Sequence, residues 1–210
     1  MNMIENYELS LLSFQTDYCE TAELIYNTDP FIYSDIFGDM NNAKKVLIRS
    51  FENADSVFYK KAVYIVKYRP TDEVVSVALC HSNDFKWNED SMLRDFANSG
   101  VVPPRSFFAA SEYMEKTYNY RKLGSSMCNI SVKESFRRRG VGFYMLDSLL
   151  SSSDAEIIEL TVLENNIAAI RLYEKLGFKI VGDAFDDYGG YNLPAVKSYK
   201  MIRNKPLCDI

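Results

Sequence analysis

The sequence predicts an α/β fold, with one domain running over all 210 residues, 1–210. Two observations predict it. Short runs rich in β-branched and aromatic residues interleave, along the whole chain, with runs whose apolar residues recur at helical spacing. No Gly/Ser/Pro-rich linker, internal repeat or low-complexity segment divides the sequence.

Taken in order, Tyr7 to Leu12 reads as a first strand. Thr16 or Asp17 is placed to cap a helix carrying Ala22, Leu24, Ile25 and Tyr26. Asp29-Pro30 is read as its stop. Met40 to Phe51 carries Val46, Leu47 and Phe51 at helical spacing. Ala62 to Tyr68 and Val74 to His81 flank the turn Arg69-Pro70-Thr71-Asp72 and form an antiparallel hairpin. Asn88 to Asn98 and Arg105 to Asn119 are two helical segments separated by Gly100 and Pro103-Pro104, and the second is aromatic. Ser126 to Val132 is a short apolar strand, followed by a basic Gly turn and a helix from Val141 to about Leu150. Glu156 to Leu163 is a strand, and Asn166 to Leu176 a helix that stops at Gly177. Phe178 to Val181 and Val196 to Ile202 are the last strands. The second half therefore reads β-α-β-α-β-β.

Composition bounds the function. Hydrophobic residues make up 47% and charged residues 25%, a globular balance. The net charge of -5 argues against nucleic acid as a partner, because such binding needs a basic surface. The dense basic cluster, Arg137 to Arg139, suggests a local anion site. Cys19, Cys80, Cys128 and Cys208 have no CxxC spacing and His81 is the one histidine, so no metal site is expected and the thiols read as reduced and mostly buried. The acidic Met1 to Glu8 segment lacks a secretory pattern, and no apolar run is long enough to span a bilayer; a cytoplasmic protein with no membrane partner is the expectation.

Val132 to Gly142 carries the chemistry. A strand ends, basic residues follow, and Gly140 and Gly142 bracket a helix start. Free N–H groups and the helix dipole point at whatever sits there. Glycine lets a bulky ligand approach, and arginine adds charge-assisted contacts to phosphate. The segment is neither a Walker A loop nor a GxGxxG fingerprint. By itself it supports a pyrophosphate cradle and a solvated basic turn about equally.

Two ordered segments carry a resemblance. Arg137-Arg138-Arg139-Gly140-Val141-Gly142 matches [Q/R]-x-x-G-x-[G/A] after a strand ending in Val. Asn166-Ile167-Ala168-Ala169-Ile170-Arg171-Leu172-Tyr173-Glu174-Lys175-Leu176-Gly177-Phe178 matches N-x-x-A-x-x-L-Y-x-K-x-G-F. In both, the sequence resembles the GNAT superfamily of N-acetyltransferases, strongly over Ser126 to Ile180. The resemblance implies a mixed, mostly antiparallel central sheet flanked by helices, with a splayed strand pair for acetyl-CoA as co-substrate. It also implies roles. The backbone of Ile130, Ser131 and Val132 would pair with the pantetheine arm. Arg137, Arg138, Arg139, Gly140, Val141, Gly142 and Phe143 would hold the pyrophosphate. Asn166 would hydrogen-bond the pantetheine or acyl region, besides capping its helix. Tyr173 would lie near the thioester sulfur and protonate the leaving thiolate. The acceptor is expected to be a primary amine of a small molecule or peptide, and a homodimer is possible.

The sequence departs from the family in one place. Relatives often place a Glu on the strand before the turn, but Ser126-Met127-Cys128-Asn129-Ile130 has no acid, and Cys128 stands near that position. His81, Glu112 and Glu115 are candidate bases without positional support. The acids of the loop Asp183 to Tyr191 would suit a cationic amine. A catalytically weakened CoA-binding regulatory or interaction module is the alternative reading.

Overall fold

The computed structural model describes residues 3–82, 85–120, 124–184 and 197–205. The predicted strands form as β1 (Tyr7–Leu11), β2 (Val63–Tyr68), β3 (Glu73–His81), β4 (Ser125–Val132), β5 (Ile157–Leu163), β6 (Lys179–Asp183) and β7 (Ser198–Asn204). Among the described residues they make one sheet in the order β1-β2-β3-β4-β5-β7-β6. Each neighbouring pair is antiparallel except β4–β5, which is parallel.

Helices cover both faces. On one face, α1 (Tyr18–Tyr26), α2 (Pro30–Phe37), α3 (Met40–Ser50), α4 (Glu89–Ser99) and α5 (Phe107–Tyr120) share a core with Val63 and Ile65 of β2 and Val77 and Leu79 of β3. That core includes no residue of β5, β6 or β7. On the other face, α6 (Val141–Ser152) and α7 (Ile167–Lys175) pack on Ala78, Ile158, Leu160, Val162 and Met201, so this core reaches across β3, β5 and β7. The alternation of Ile158, Leu160 and Val162 with Glu159 and Thr161 follows from the period of two along a strand.

Three sequence readings are corrected. Asp29-Pro30 does not merely stop α1; it opens α2, with the Asp29 carboxylate accepting from Ile32 N at 3.2 Å and Pro30 in the first turn. Asp is a strong N-cap and Pro has no N–H to lose there. Asp17 precedes α1 but makes no capping hydrogen bond; its Oδ1 instead lies 3.1 Å from Lys67 Nζ on β2. The thiols are less buried than expected: Cys19 is exposed, and Cys80 and Cys128 are partly buried. Cys208 lies outside the described residues.

The sheet is held most loosely where the site lies. β4 and β5 pair only through Ser125 with Ile158 and Ser126 with Glu159. Beyond those residues both strands run on unpaired to each other, opening a wedge.

Candidate active site

The wedge is deepened by a bulge in β4. Cys128 pairs with Leu79 and Ser131 with Val77, so Asn129 and Ile130 together oppose Ala78. Asn129 has φ of +51°, a left-handed conformation that Asn tolerates better than other side-chain-bearing residues. Its amide nitrogen donates to Thr28 Oγ1 at 2.8 Å and to the Tyr33 hydroxyl. The bulge is thereby tied to the α1–α2 junction and to α2.

A cavity of about 210 Å³ occupies the wedge. β4 gives it Cys128, Asn129 and Ile130, and β5 gives Thr161, Val162 and Leu163. Asn166 and Tyr173 close it from the α7 side; Asp29, Tyr33, Tyr113 and Tyr118 close it from α2 and α5. Tyr173 is only 6% exposed and stands edge-on to Phe178, with ring centroids 6.0 Å apart. Burial pushes its hydroxyl up to about 12, so near neutral pH it holds its proton. Asn166 accepts from Ala169 N at 3.2 Å as the cap of α7, which leaves its amide NH₂ for the cavity. Both roles expected of this residue are geometrically compatible.

Further along β4, Ser131, Val132 and Arg137 line a second concavity of about 410 Å³ against Glu20 and Glu23 of α1. Two main-chain acceptors here are already engaged. Ser131 O accepts from Ser76 Oγ at 2.7 Å and Val132 O from Arg137 Nε at 3.0 Å.

The turn into α6 has the features of an anion cradle. Arg138 (φ +60°) and Gly140 (φ +83°) adopt positive φ on either side of Arg139, alternating the backbone so that successive N–H groups can converge. Gly140 holds the N-cap position of α6 but has no side chain to cap it with, and among the described residues no side-chain hydrogen bond to the first-turn N–H groups is found. Gly142 sits close to its neighbours: a Cβ there would lie 3.3 Å from Leu172 Cδ2 and 3.5 Å from Val132 Cγ2, between α7 and β4, so the Leu172 side chain would have to give by a few tenths of an ångström. Val141 is buried in the core, so it can offer only its backbone. Arg137, Arg138 and Arg139 are exposed, and among the described residues none is ion-paired. The Arg139 guanidinium lies 5.2 Å from the Phe136 ring centroid, and Lys175 Nζ 4.6 Å from that of Phe143.

The candidate bases do not converge. Glu112 pairs with Lys116 at 2.8 Å, and Glu115 lines a separate surface depression beside Trp87; neither borders the wedge cavity. His81 is 4% exposed and stacked on Phe85 at 4.7 Å, neither ring nitrogen is hydrogen-bonded among the described residues, and it does not line the cavity either. Cys128 does line it, 3.8 Å from the Tyr118 hydroxyl. Asp183 lies in β6, but the loop acids at 186 and 187 fall outside the described residues. Sequence reasoning missed α2 and with it Asp29 and Tyr33. The signal was present, since Asp-Pro is also a helix opening and Ile32, Tyr33, Ile36 and Phe37 follow at helical spacing.

A family model described as Acetyltransferase (GNAT) family matches residues 47–178. No curated protein matches the chain. Among solved structures, it is similar to an acetyltransferase at TM-score 0.65 and 16% identity, covering 94% of this chain and 98% of that one. An N-acetyltransferase from Staphylococcus aureus Mu50 matches at 0.64 and 17%, covering 93% and 99%. A histone acetyltransferase HPA2 and related acetyltransferase from Corynebacterium glutamicum ATCC 13032 matches at 0.61 and 17%, covering 98% and 99%. At these identities the likeness concerns the fold. Among the described residues no helix is long and apolar enough to cross a membrane.

Proposed function

The chain belongs to the GNAT acetyltransferase family, and from that premise we propose that it moves an acetyl group from acetyl-CoA to a primary amine by direct attack. The observation that carries this reading is the wedge between β4 and β5, with the phenol of Tyr173 on one wall and the uncapped start of α6 at the end of β4. The residues fit an acyl-CoA. Unpaired strand edges suit an extended amide-bearing arm, and the Arg137–Gly142 backbone suits a pyrophosphate.

The bound thioester supplies the acetyl group. The protein's share is positioning, charge stabilisation and proton movement. The first-turn N–H groups of α6 and Arg137 to Arg139 hold the phosphates. Phe143 contributes its backbone to the cradle. Main-chain groups of Ile130, Ser131 and Val132 align the arm, and Asn166 adds an amide donor. The β4 bulge turns backbone N–H groups out of the ladder, toward the oxygen that gains charge when the amine attacks. As the carbon–sulfur bond breaks, Tyr173 gives its proton to the departing thiolate.

The test is thiol release from acetyl-CoA with a panel of primary amines, paired with calorimetric titration of CoA. Amine-dependent thiol release with an acetylated product supports the reading. Tight CoA binding with no turnover across the panel favours instead a CoA-binding regulatory module, a role to which the lack of an acid on β4 between Ser126 and Ile130 lends some weight.

A further inference from the structure

We propose that Asp29 is the acceptor's docking group and proton sink: the ammonium of a compact aromatic or apolar amine pairs with its carboxylate, loses a proton to it, and then attacks. This rests on the acetyl-transfer reading above.

Three observations carry it. Among the described residues that line the wedge cavity, Asp29 is the one carboxylate, and there is no Lys, Arg or His. A cavity with a single negative group and no positive one is complementary to a cation. The walls around it are aromatic, with Tyr33, Tyr113 and Tyr118, and aromatic faces add attraction for a cation and area for an apolar body. At about 210 Å³ the space is small beside the pockets of roughly 300–1,000 Å³ that take drug-sized ligands, which selects a compact acceptor.

Asp29 is also built to act. Its carboxylate accepts from the backbone N–H groups of Ile32, at 3.2 Å, and Phe31, and a carboxylate's four acceptor sites leave lone pairs for a substrate. The Asn129 amide bridges Thr28 and Tyr33, the neighbours of Asp29 in sequence and on α2, and so fixes this junction against the β4 bulge. Burial raises the carboxyl's affinity for a proton, which improves it as a base. The balance is complete. One nitrogen proton passes to the Asp29 carboxylate, and the freed lone pair forms the carbon–nitrogen bond. The carbon–sulfur bond breaks with its electron pair on sulfur, and sulfur takes the Tyr173 proton. The second nitrogen proton returns to the Tyr173 oxygen, and Asp29 releases its proton to water.

The experiment compares Asp29→Asn and Asp29→Ser with the unaltered chain. Both replacements cap helices well, so α2 keeps its start. The probes are phenethylamine, which must shed a proton before it attacks, and aniline, which is uncharged near neutral pH. The ratio of kcat/KM for phenethylamine to that for aniline is expected to fall about tenfold to a hundredfold in both variants, the worth of a hydrogen bond to a charged group. An unchanged ratio overturns the assignment while leaving acetyl transfer standing. Turnover of neither amine by the unaltered chain, with CoA still bound, overturns the amine reading and the Asp29 role together.

Discussion

A phenol as enclosed as that of Tyr173 keeps its proton because the phenolate would lose hydration with no compensating partner; burial is the sole cause of its shift to about 12. Tyr173→Phe removes only the hydroxyl. The ring still packs on Phe178, so the melting curve and CoA affinity should hold while kcat falls roughly a hundredfold or more. The pH–rate profile of the unaltered chain should show no loss from this group until pH approaches about 12, since the acid form persists below that value. Asn129 poses a separable question of backbone and side chain. Asn129→Gly keeps the φ of +51° without a Cβ but loses the bonds to Thr28 and Tyr33; Asn129→Ala loses the same bonds and keeps a Cβ in the left-handed region without the amide that eases it for Asn. Urea unfolding should place the Ala variant below the Gly variant by about 1 kcal/mol, because the steric cost outweighs alanine's entropic advantage.

At the level of elements, the closed end of the wedge is a packing problem solved by Gly124. A Cβ on that residue would stand 2.1 Å from the carbonyl oxygen of Ile157, and backbone cannot rotate out of the way as a side chain does. Only two residue pairs join β4 to β5 beside it. Gly124→Ala should therefore push the strands apart and cost roughly 1–3 kcal/mol, read from thermal melts. The elements themselves were largely legible in the sequence, and the reasons differ from place to place. Arg137 to Gly142 and Asn166 to Phe178 were readable because a helix start bracketed by glycines and a helix end at Gly177 demand particular residues locally. Asp29-Pro30 was ambiguous because the same dipeptide ends one helix and begins the next. The bulge at Asn129 was not readable, since it exists only in the register of β4 against β3, and a single strand's sequence carries no record of its partner's register. The cavity is illegible for the same reason: Asp29, Tyr113 and Tyr173 come from three helices whose approach depends on packing.

Across the whole molecule, the two faces of the sheet are bound together unequally. The core under α6 and α7 spans β3, β5 and β7, whereas the core under α1 to α5 reaches no strand beyond β4. On the face of the sheet that carries α1 to α5, β5 and β7 instead bear a buried pair, with Lys200 Nζ 2.8 Å from Glu159 Oε2. The sheet's two halves thus meet through one core and, between β4 and β5, two residue pairs beside the wedge. A ligand lying in that wedge and reaching the α6 cradle contacts both halves and binds only the folded chain. By linkage, acetyl-CoA at about 100 times its Kd should add about 2.7 kcal/mol. For a chain of this size that raises Tm by roughly 5–10 °C. Acetyl-pantetheine, which has the arm and thioester but no pyrophosphate, should give a smaller shift at equal concentration. Added salt should reduce the acetyl-CoA shift more than the acetyl-pantetheine one, because only the former leans on the exposed charges of Arg137 to Arg139. Equal shifts from the two compounds at low salt would mean that the cradle contributes nothing, and that the arm alone holds the halves together.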